Sequence, residues 1–279
     1  MDKHSALLEL IEYLFEERNQ GDQAIAVRTQ EKRTPLPDDR LWDLFRALVN
    51  TREAAPASER FLELQDDLLK TMIAETGIAH VGDADPSPID PRIRLWRGDI
   101  TTIAADGIVN AANSQMLGCW VPGHHCIDNA IHTFAGVQLR LACSNLMQAQ
   151  GHEEPTAEAK VTDAFNLPSK YIIHTVGPIA NGNPTAQHRS QLARCYEKCL
   201  DAAAEHHMES IAFCCISTGV FGFPQQEAAE IAVHAVRSWL ASHGYDPNGS
   251  ENENGGMTVV FNVFGAADEE IYRNLLGFS

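Results

Sequence analysis

No run of Lys or Arg occurs anywhere in the sequence, which carries 38 Asp and Glu against 21 Lys and Arg for a formal charge of −17. Sequence-independent binding to a phosphate backbone needs clustered cations that displace counterions, so this composition opposes a nucleic-acid partner. There is no apolar run of the roughly 18 residues that span a bilayer. The opening segment, MDKHSALLELIEYLFEERN, interrupts its apolar residues with Glu and has no small-residue cleavage site, so neither a membrane span nor a secretory signal is expected. Internal repeats and coiled-coil heptads are missing as well. No Gly-Lys-Ser/Thr follows a glycine-rich stretch, which rules out a P-loop. Nor do the cysteines come in an even number: there are seven, unevenly clustered, in a chain too large to need disulfide staples. They are expected to be reduced, and the protein to be soluble and cytoplasmic. With so few cations, a phosphate ligand here has to be held by backbone N–H groups and helix N-termini.

The sequence does contain two distinct patterns. Leu7, Leu8, Ile11, Leu14 and Phe15 fall on one helical face, as do Leu41, Leu44, Phe45 and Leu48, and then Phe61, Leu64, Leu68 and Leu69. Residues 1–88 are therefore expected to form a helical extension. The stretch Gly82–Pro91, dense in Pro and Asp, reads as a boundary. From 89 to 279 short β-rich runs (92–96, 107–109, 171–176, 211–216 and 258–264) alternate with helical patterns such as Ala228, Ile231, Ala232, Ala235, Val236 and Trp239. Such alternation predicts an α/β domain with helices on both faces of a largely parallel sheet. Asp246–Gly256 reads as a polar loop.

In such folds ligands sit beyond the carboxyl ends of strands. Four candidate loops stand out. In Gly98-Asp99-Ile100-Thr101, Asp99 can accept hydrogen bonds from an amino group such as that of adenine, or simply end a strand with a turn. Asn110-Ala111-Ala112-Asn113 suits a tight polar loop in which one amide stabilises the turn and the other faces a ligand hydroxyl. Ser217-Thr218-Gly219-Val220-Phe221-Gly222-Phe223-Pro224 has the glycines that let successive N–H groups approach a diphosphate, with Phe221 free to cover a sugar; a plain strand-to-helix turn is the alternative. The fourth, Gly118 to Asn129, holds Cys119, His124 and Cys126 close enough in sequence to wrap one tetrahedral zinc ion. Three protein ligands leave an open position, as in catalytic sites, whereas His125 or His132 as a fourth ligand would close it. Asp128, entering the next helix, is a candidate general base or positioning group, or only a favourable charge at a helix N-terminus.

Together GDIT, NAAN, the segment AEAKVTDAFNLPSKYIIHTVGP and STGVFGFP resemble the macrodomain family, in this order over roughly Pro91 to Ser279. GCWVPGHHCIDNAIH is similar to the zinc-containing macrodomains of microbes, in which a Cys and His cluster replaces a glycine-rich loop; Trp120 is the one departure from the expected pattern. The resemblance implies a three-layer α/β/α fold with a mixed, largely parallel sheet, preceded by a helical extension. It implies ADP-ribose as ligand, mono-ADP-ribosylated protein as substrate, and Zn2+ as cofactor. For this subfamily it implies hydrolysis of a linkage to Asp or Glu; a reader that binds ADP-ribose around a structural zinc is the alternative. Carried over by position, Asp99 and Ile100 meet the adenine, Phe264 packs on its ring, and Ser217, Thr218, Gly219, Val220, Phe221 and Gly222 cradle the diphosphate opposite Ile127. Asn113 and Asp128 take the catalytic positions, Asn113 holding the distal ribose. Cys119, His124 and Cys126 take the zinc positions, with His125 outside the coordination sphere.

Overall fold

The structure is a computed structural model describing residues 2–243 and 256–278; nearly all of the Asp246–Gly256 segment read as a loop lies outside the described residues. Four helices come first: α1 (Lys3–Glu17), α2 (Gly21–Arg33), α3 (Asp38–Asn50) and α4 (Glu59–Thr76). Asp2 accepts a hydrogen bond from the Ser5 N–H and Ser58 from the Phe61 N–H, so α1 and α4 each begin on a side-chain cap. Leu7, Leu10, Ile11 and Leu14 of α1 meet Leu41 and Phe45 of α3 and Phe61, Leu64, Leu68 and Leu69 of α4 in one buried cluster. Each such side chain contributes about 1.5–3 kcal/mol on burial, which holds helices that would be marginal alone. Helix α2 has no apolar stripe and buries only Ala24. Val137, from a later helix, joins this cluster and Phe134 packs on it, so the four helices are docked on the rest of the molecule.

A short parallel pair, β1 (Ala79–His80) with β4 (Ile103–Ala104), links this unit to the main sheet. The main sheet contains β2 (Asp85–Ser87), β3 (Asp90–Arg97), β5 (Gly107–Ala112), β6 (Ala159–Asp163), β7 (Tyr171–Val176), β8 (Ser210–Phe213) and β9 (Thr258–Val263). Their spatial order is β2-β3-β9-β8-β5-β7-β6. The five central strands run parallel, and β2 and β6 close the two edges antiparallel. Helices α5 (Ile127–Ala135) and α6 (Val137–Gln150) pack as one pair, with α5 on β5; α7 (Ala186–Glu205), α8 (Gln225–Ser242) and α9 (Ala266–Leu275) pack in sequence as the other layer. This is the three-layer α/β/α arrangement. Among the described residues no helix is long and apolar enough to cross a membrane.

Residues in the stretch 82–91 form β2 and the start of β3, in keeping with the extended backbone its prolines favour; Pro86 is tolerated because β2 is an edge strand of the sheet. Two local expectations are corrected. Asn110, Ala111 and Ala112 are not loop but the end of β5, held through Ala112 by parallel pairing to β7. The apolar run 211–216 leaves the sheet after Phe213, yet Cys214, Ile216 and Ser217 stay buried, which is why the loop has a strand's composition.

Candidate active site

All four loops gather at the carboxyl ends of the parallel strands. Beyond β3, Asp99 Oδ1 accepts from the Thr101 N–H at 2.9 Å and from Thr101 Oγ1 at 2.7 Å, capping the single turn Ile100–Thr102, in which Ile100 is buried. Beyond β9, Phe264 lies one residue past the strand's end with 81% of its surface exposed. An aromatic ring so exposed beside a buried strand end is available to stack on a planar ligand.

The Ser217–Pro224 loop follows β8. It is folded by bonds from the Phe223 N–H to the Ser217 carbonyl and from the Gly222 N–H to the Gly219 carbonyl, both 2.9 Å. Ser217 and Gly222 both occupy the left-handed region, with φ of +66° and +64°. Among the described residues, the N–H groups of Gly219, Val220 and Phe221 donate to no backbone carbonyl, which leaves three successive amides available to a ligand. The facing wall was not foreseen: the Ala180 and Asn181 N–H groups donate to the Phe221 carbonyl and that of Gly182 to the Gly222 carbonyl. A Cβ on Gly177 would stand 2.1 Å from Ser217 Oγ, so this strand-end glycine makes room for the loop. Ile127, the first residue of α5, is half-buried and exposes part of its side chain.

The ligand atoms of Cys119, His124 and Cys126 lie within 4.8 Å of one another, and Cys119 Sγ is 3.4 Å from His124 Nδ1. All three residues are half-buried. Cys126 also caps α5, its Sγ accepting from the Asn129 N–H at 3.4 Å. Burial, with the Cys119 thiol alongside, pushes the Cys126 thiol up to about 11. Two soft sulfurs and an imidazole converging within reach of a single ion suit zinc, which ligates thiolate and displaces the thiol proton. Neither candidate fourth ligand joins them: His125 is exposed, and His132 is buried in a separate group with Cys143 and His174. Trp120, the departure from the family pattern, carries the Arg140 guanidinium over its ring at 4.2 Å, and Arg140 Nε donates to the Leu117 carbonyl at 2.7 Å. The large side chain thus anchors the start of the loop.

Asp128 is buried in the first turn of α5, where the helix N-terminus favours a negative charge. Burial raises its carboxyl to about 6 against the opposing Asn110 hydrogen bond and Arg140 charge. Asn110 Nδ2 donates to Asp128 Oδ1 at 2.8 Å, and Asn113 Nδ2 lies 3.4 Å from Oδ2. Asn113 also donates to the Gly118 carbonyl and accepts from the Gln115 N–H, so it shapes the turn as well as facing Asp128. Behind Asn110 stands His174, kept neutral by burial, whose value falls to about 3. Its Nδ1 accepts from Asn110 Nδ2 at 3.1 Å and its Nε2 lies 2.9 Å from Thr162 Oγ1. With both its ring nitrogens engaged, His174 is a hydrogen-bonded support behind Asn110, whereas the two ring nitrogens of the neighbouring buried His132 have no hydrogen-bond partner among the described residues, its Nε2 lying 3.6 Å from Asp128 Oδ1. Asn110 was singled out from sequence only as a loop amide, and Asn129 and His174 were given no role; all three are fully buried polar side chains next to the site.

Glycine-loop amides, an exposed aromatic at a strand end and a buried carboxylate next in sequence to a thiol and imidazole cluster thus lie at the carboxyl ends of the parallel strands, where open α/β sheets bind their ligands. Residues 109–232 match the family described as Macro domain. Over 271 residues the chain is 49% identical to the protein-ADP-ribose hydrolase of Treponema medium, covering 96% of each. It is 45% identical over 267 residues to the protein-ADP-ribose hydrolase of Staphylococcus aureus strain MSSA476, covering 95% of this chain and 92% of that one. The macrodomain of Trypanosoma brucei in complex with ADP-ribose is similar with a TM-score of 0.61 and 28% identity, over 83% of this chain and 95% of that one. The chain belongs to the macrodomain family.

Proposed function

We propose that this protein is a hydrolase that removes mono-ADP-ribose from modified protein side chains, with the sugar linked to Asp or Glu, at a site that holds one zinc ion on Cys119, His124 and Cys126. The observation that carries the reading is the convergence of those three donors beside Asp128 at the N-terminus of α5. The relatives named protein-ADP-ribose hydrolase, matched over nearly their whole length, support the reaction class.

In this reading the adenine end lies against Asp99, Ile100 and Phe264, and the diphosphate on the Gly219–Phe221 amides, which hold it without a lysine. Phe221 covers the distal ribose, Ile127 lines the opposite wall, and Asn113 donates to a ribose hydroxyl. Asp128 accepts the proton of the water that attacks the sugar's anomeric carbon, while Asn110 keeps its carboxylate turned towards that water. The bond from the anomeric carbon to the carboxylate oxygen of the target breaks, leaving free ADP-ribose and the unmodified side chain. A zinc ion on the three donors would supply Lewis acidity beside the distal ribose.

The test is release of free ADP-ribose from a protein automodified on Asp and Glu, with and without a zinc chelator, against a substrate modified on Ser. Release from the first substrate that stops with chelator and returns with zinc is expected. Tight binding of ADP-ribose without release from either substrate would make the domain a reader, and release unaffected by chelation would remove zinc from the reaction.

A further inference from the structure

The loop that carries the zinc donors is held from outside the α/β domain, by two residues of α3 in the N-terminal helical unit. Arg46 and Asn50 stand four residues apart and so share one face of that helix. Asn50 Oδ1 accepts from the Gly123 N–H at 3.0 Å, and Arg46 Nη2 donates to the His124 carbonyl at 3.0 Å. These two bonds bracket the dipeptide that contains the imidazole donor. Gly123 has φ +65°, a left-handed conformation open to glycine, and no other atom lies near where its Cβ would stand, so neighbouring packing does not fix this turn. Hydrogen bonds fix it. Asn129 ties the arrangement together: its Oδ1 accepts from Arg46 Nε at 3.2 Å and Nη2 at 2.9 Å, while its Nδ2 donates to Asn50 Oδ1 at 2.9 Å and to the Val121 carbonyl at 3.1 Å. Asn50 and Asn129 are both buried, so the bond between their side chains forms away from competing water, while those to Arg46 and to the loop backbone are part-buried.

We infer that the N-terminal helical unit is part of the metal site, with Arg46 and Asn50 acting as positioning residues that set the backbone of His124 and thereby where its imidazole meets Cys119 and Cys126. The inference rests on reading Cys119, His124 and Cys126 as the zinc ligands. Groups that orient first-contact ligands without touching the metal commonly alter metal affinity by about 10–100-fold when removed. The helical unit is then a brace for the reacting end of the pocket. The adenine and diphosphate ends, built on β3, β8 and β9, receive no hydrogen bond from it among the described residues.

The experiment uses the full chain as wild type, Arg46→Gln, Asn50→Ala and Cys119→Ala. Zinc affinity is measured by competition with a chromogenic chelator, the visible spectrum after cobalt(II) substitution is recorded, and ADP-ribose binding is followed by calorimetry. Expected are one tightly held zinc in wild type, none in Cys119→Ala, and affinity lower by ~10–100-fold in Arg46→Gln and Asn50→Ala. In the two α3 variants the cobalt thiolate bands should shift at saturating metal, a change that loss of stability alone does not produce. ADP-ribose affinity should stay within a few-fold of wild type, and turnover should return with excess zinc. Folded Arg46→Gln and Asn50→Ala proteins with wild-type zinc affinity and cobalt spectrum would overturn the inference and leave the zinc ligands standing. Wild-type zinc binding by Cys119→Ala would overturn the ligand assignment and this inference with it. Should Asn50→Ala fail to fold, Arg46→Gln decides alone, since Arg46 is only half-buried and Gln keeps the helix propensity of that position.

Discussion

Asn110 points one amide hydrogen at Asp128 Oδ1 across 2.8 Å, from inside the central sheet to the first turn of a helix, and both side chains are buried. Because its other amide contact is an acceptor nitrogen of His174, rotating the amide would aim its oxygen at two acceptors. Its orientation is therefore fixed, and so is the carboxylate's.

Asn110→Ala should lower stability by about 1–3 kcal/mol, since Asp128 and His174 lose a buried partner. It should also lower kcat by roughly tenfold or more with KM little changed, because the carboxylate is freed to turn. Thermal melts and steady-state release of ADP-ribose check this. A stable Asn110→Ala protein with wild-type kcat would show that Asp128 needs no such support.

The metal donors and the carboxylate should fail differently. Cys119→Ala, His124→Ala and Cys126→Ala should each lose zinc and nearly all hydrolysis, while ADP-ribose binding falls less. Asp128→Ala should keep its zinc yet slow turnover by ~10²–10⁴-fold. His125→Ala, exposed and outside the cluster, should leave both quantities near wild type. Elemental analysis beside turnover separates the cases, and a metal-free, folded Cys126→Ala enzyme at full rate would make the cluster incidental.

ADP-ribose should bind far more tightly than AMP, because the Gly219–Phe221 amides reward the second phosphate and the distal ribose adds contacts beyond it. Phe264→Ala should weaken both ligands by a similar factor, as the ring serves the adenine they share. Calorimetry giving equal affinities for AMP and ADP-ribose would place the diphosphate elsewhere.

His4 of α1 lies 2.7 Å from Asp38 of α3 and 3.0 Å from Glu31 of α2, and the Asp38 hydrogen bond raises its pKa above 6.5. Its stabilising contribution is complete below the unfolded value and is lost as pH rises through the raised folded value. The melting-temperature gap between wild type and His4→Gln should therefore be widest on the acid side of the ordinary imidazole value and narrow as pH rises past it. A gap independent of pH over that range would mean the imidazole is neutral throughout.

The stripes of α1, α3 and α4 and the strands β3, β7 and β9 were legible because each carries an uninterrupted apolar period. Edge strands β2 and β6 were not, since one polar flank and residues such as Pro86 erase that signal. The site was legible wherever chemistry demands particular residues close in sequence, as in the Cys119–Cys126 loop. Its support was not: Arg46 and Asn50 sit 73 to 83 residues from their partners in an amphipathic helix, and Asn110, read as a loop amide, sits in a strand, where only the fold shows what a polar side chain faces.

The bonds from α3 to the Gly123 and His124 backbone and to Asn129 span 73 to 83 residues. Closing such distances must precede any gain from them, which makes these contacts late ones on a folding route. Residues 38–50 also leave a ribosome before the Cys119–Cys126 loop exists. The helix is then made before the donors emerge, and under the proposed zinc site cation capture would follow docking as a final step of maturation instead of nucleating the fold.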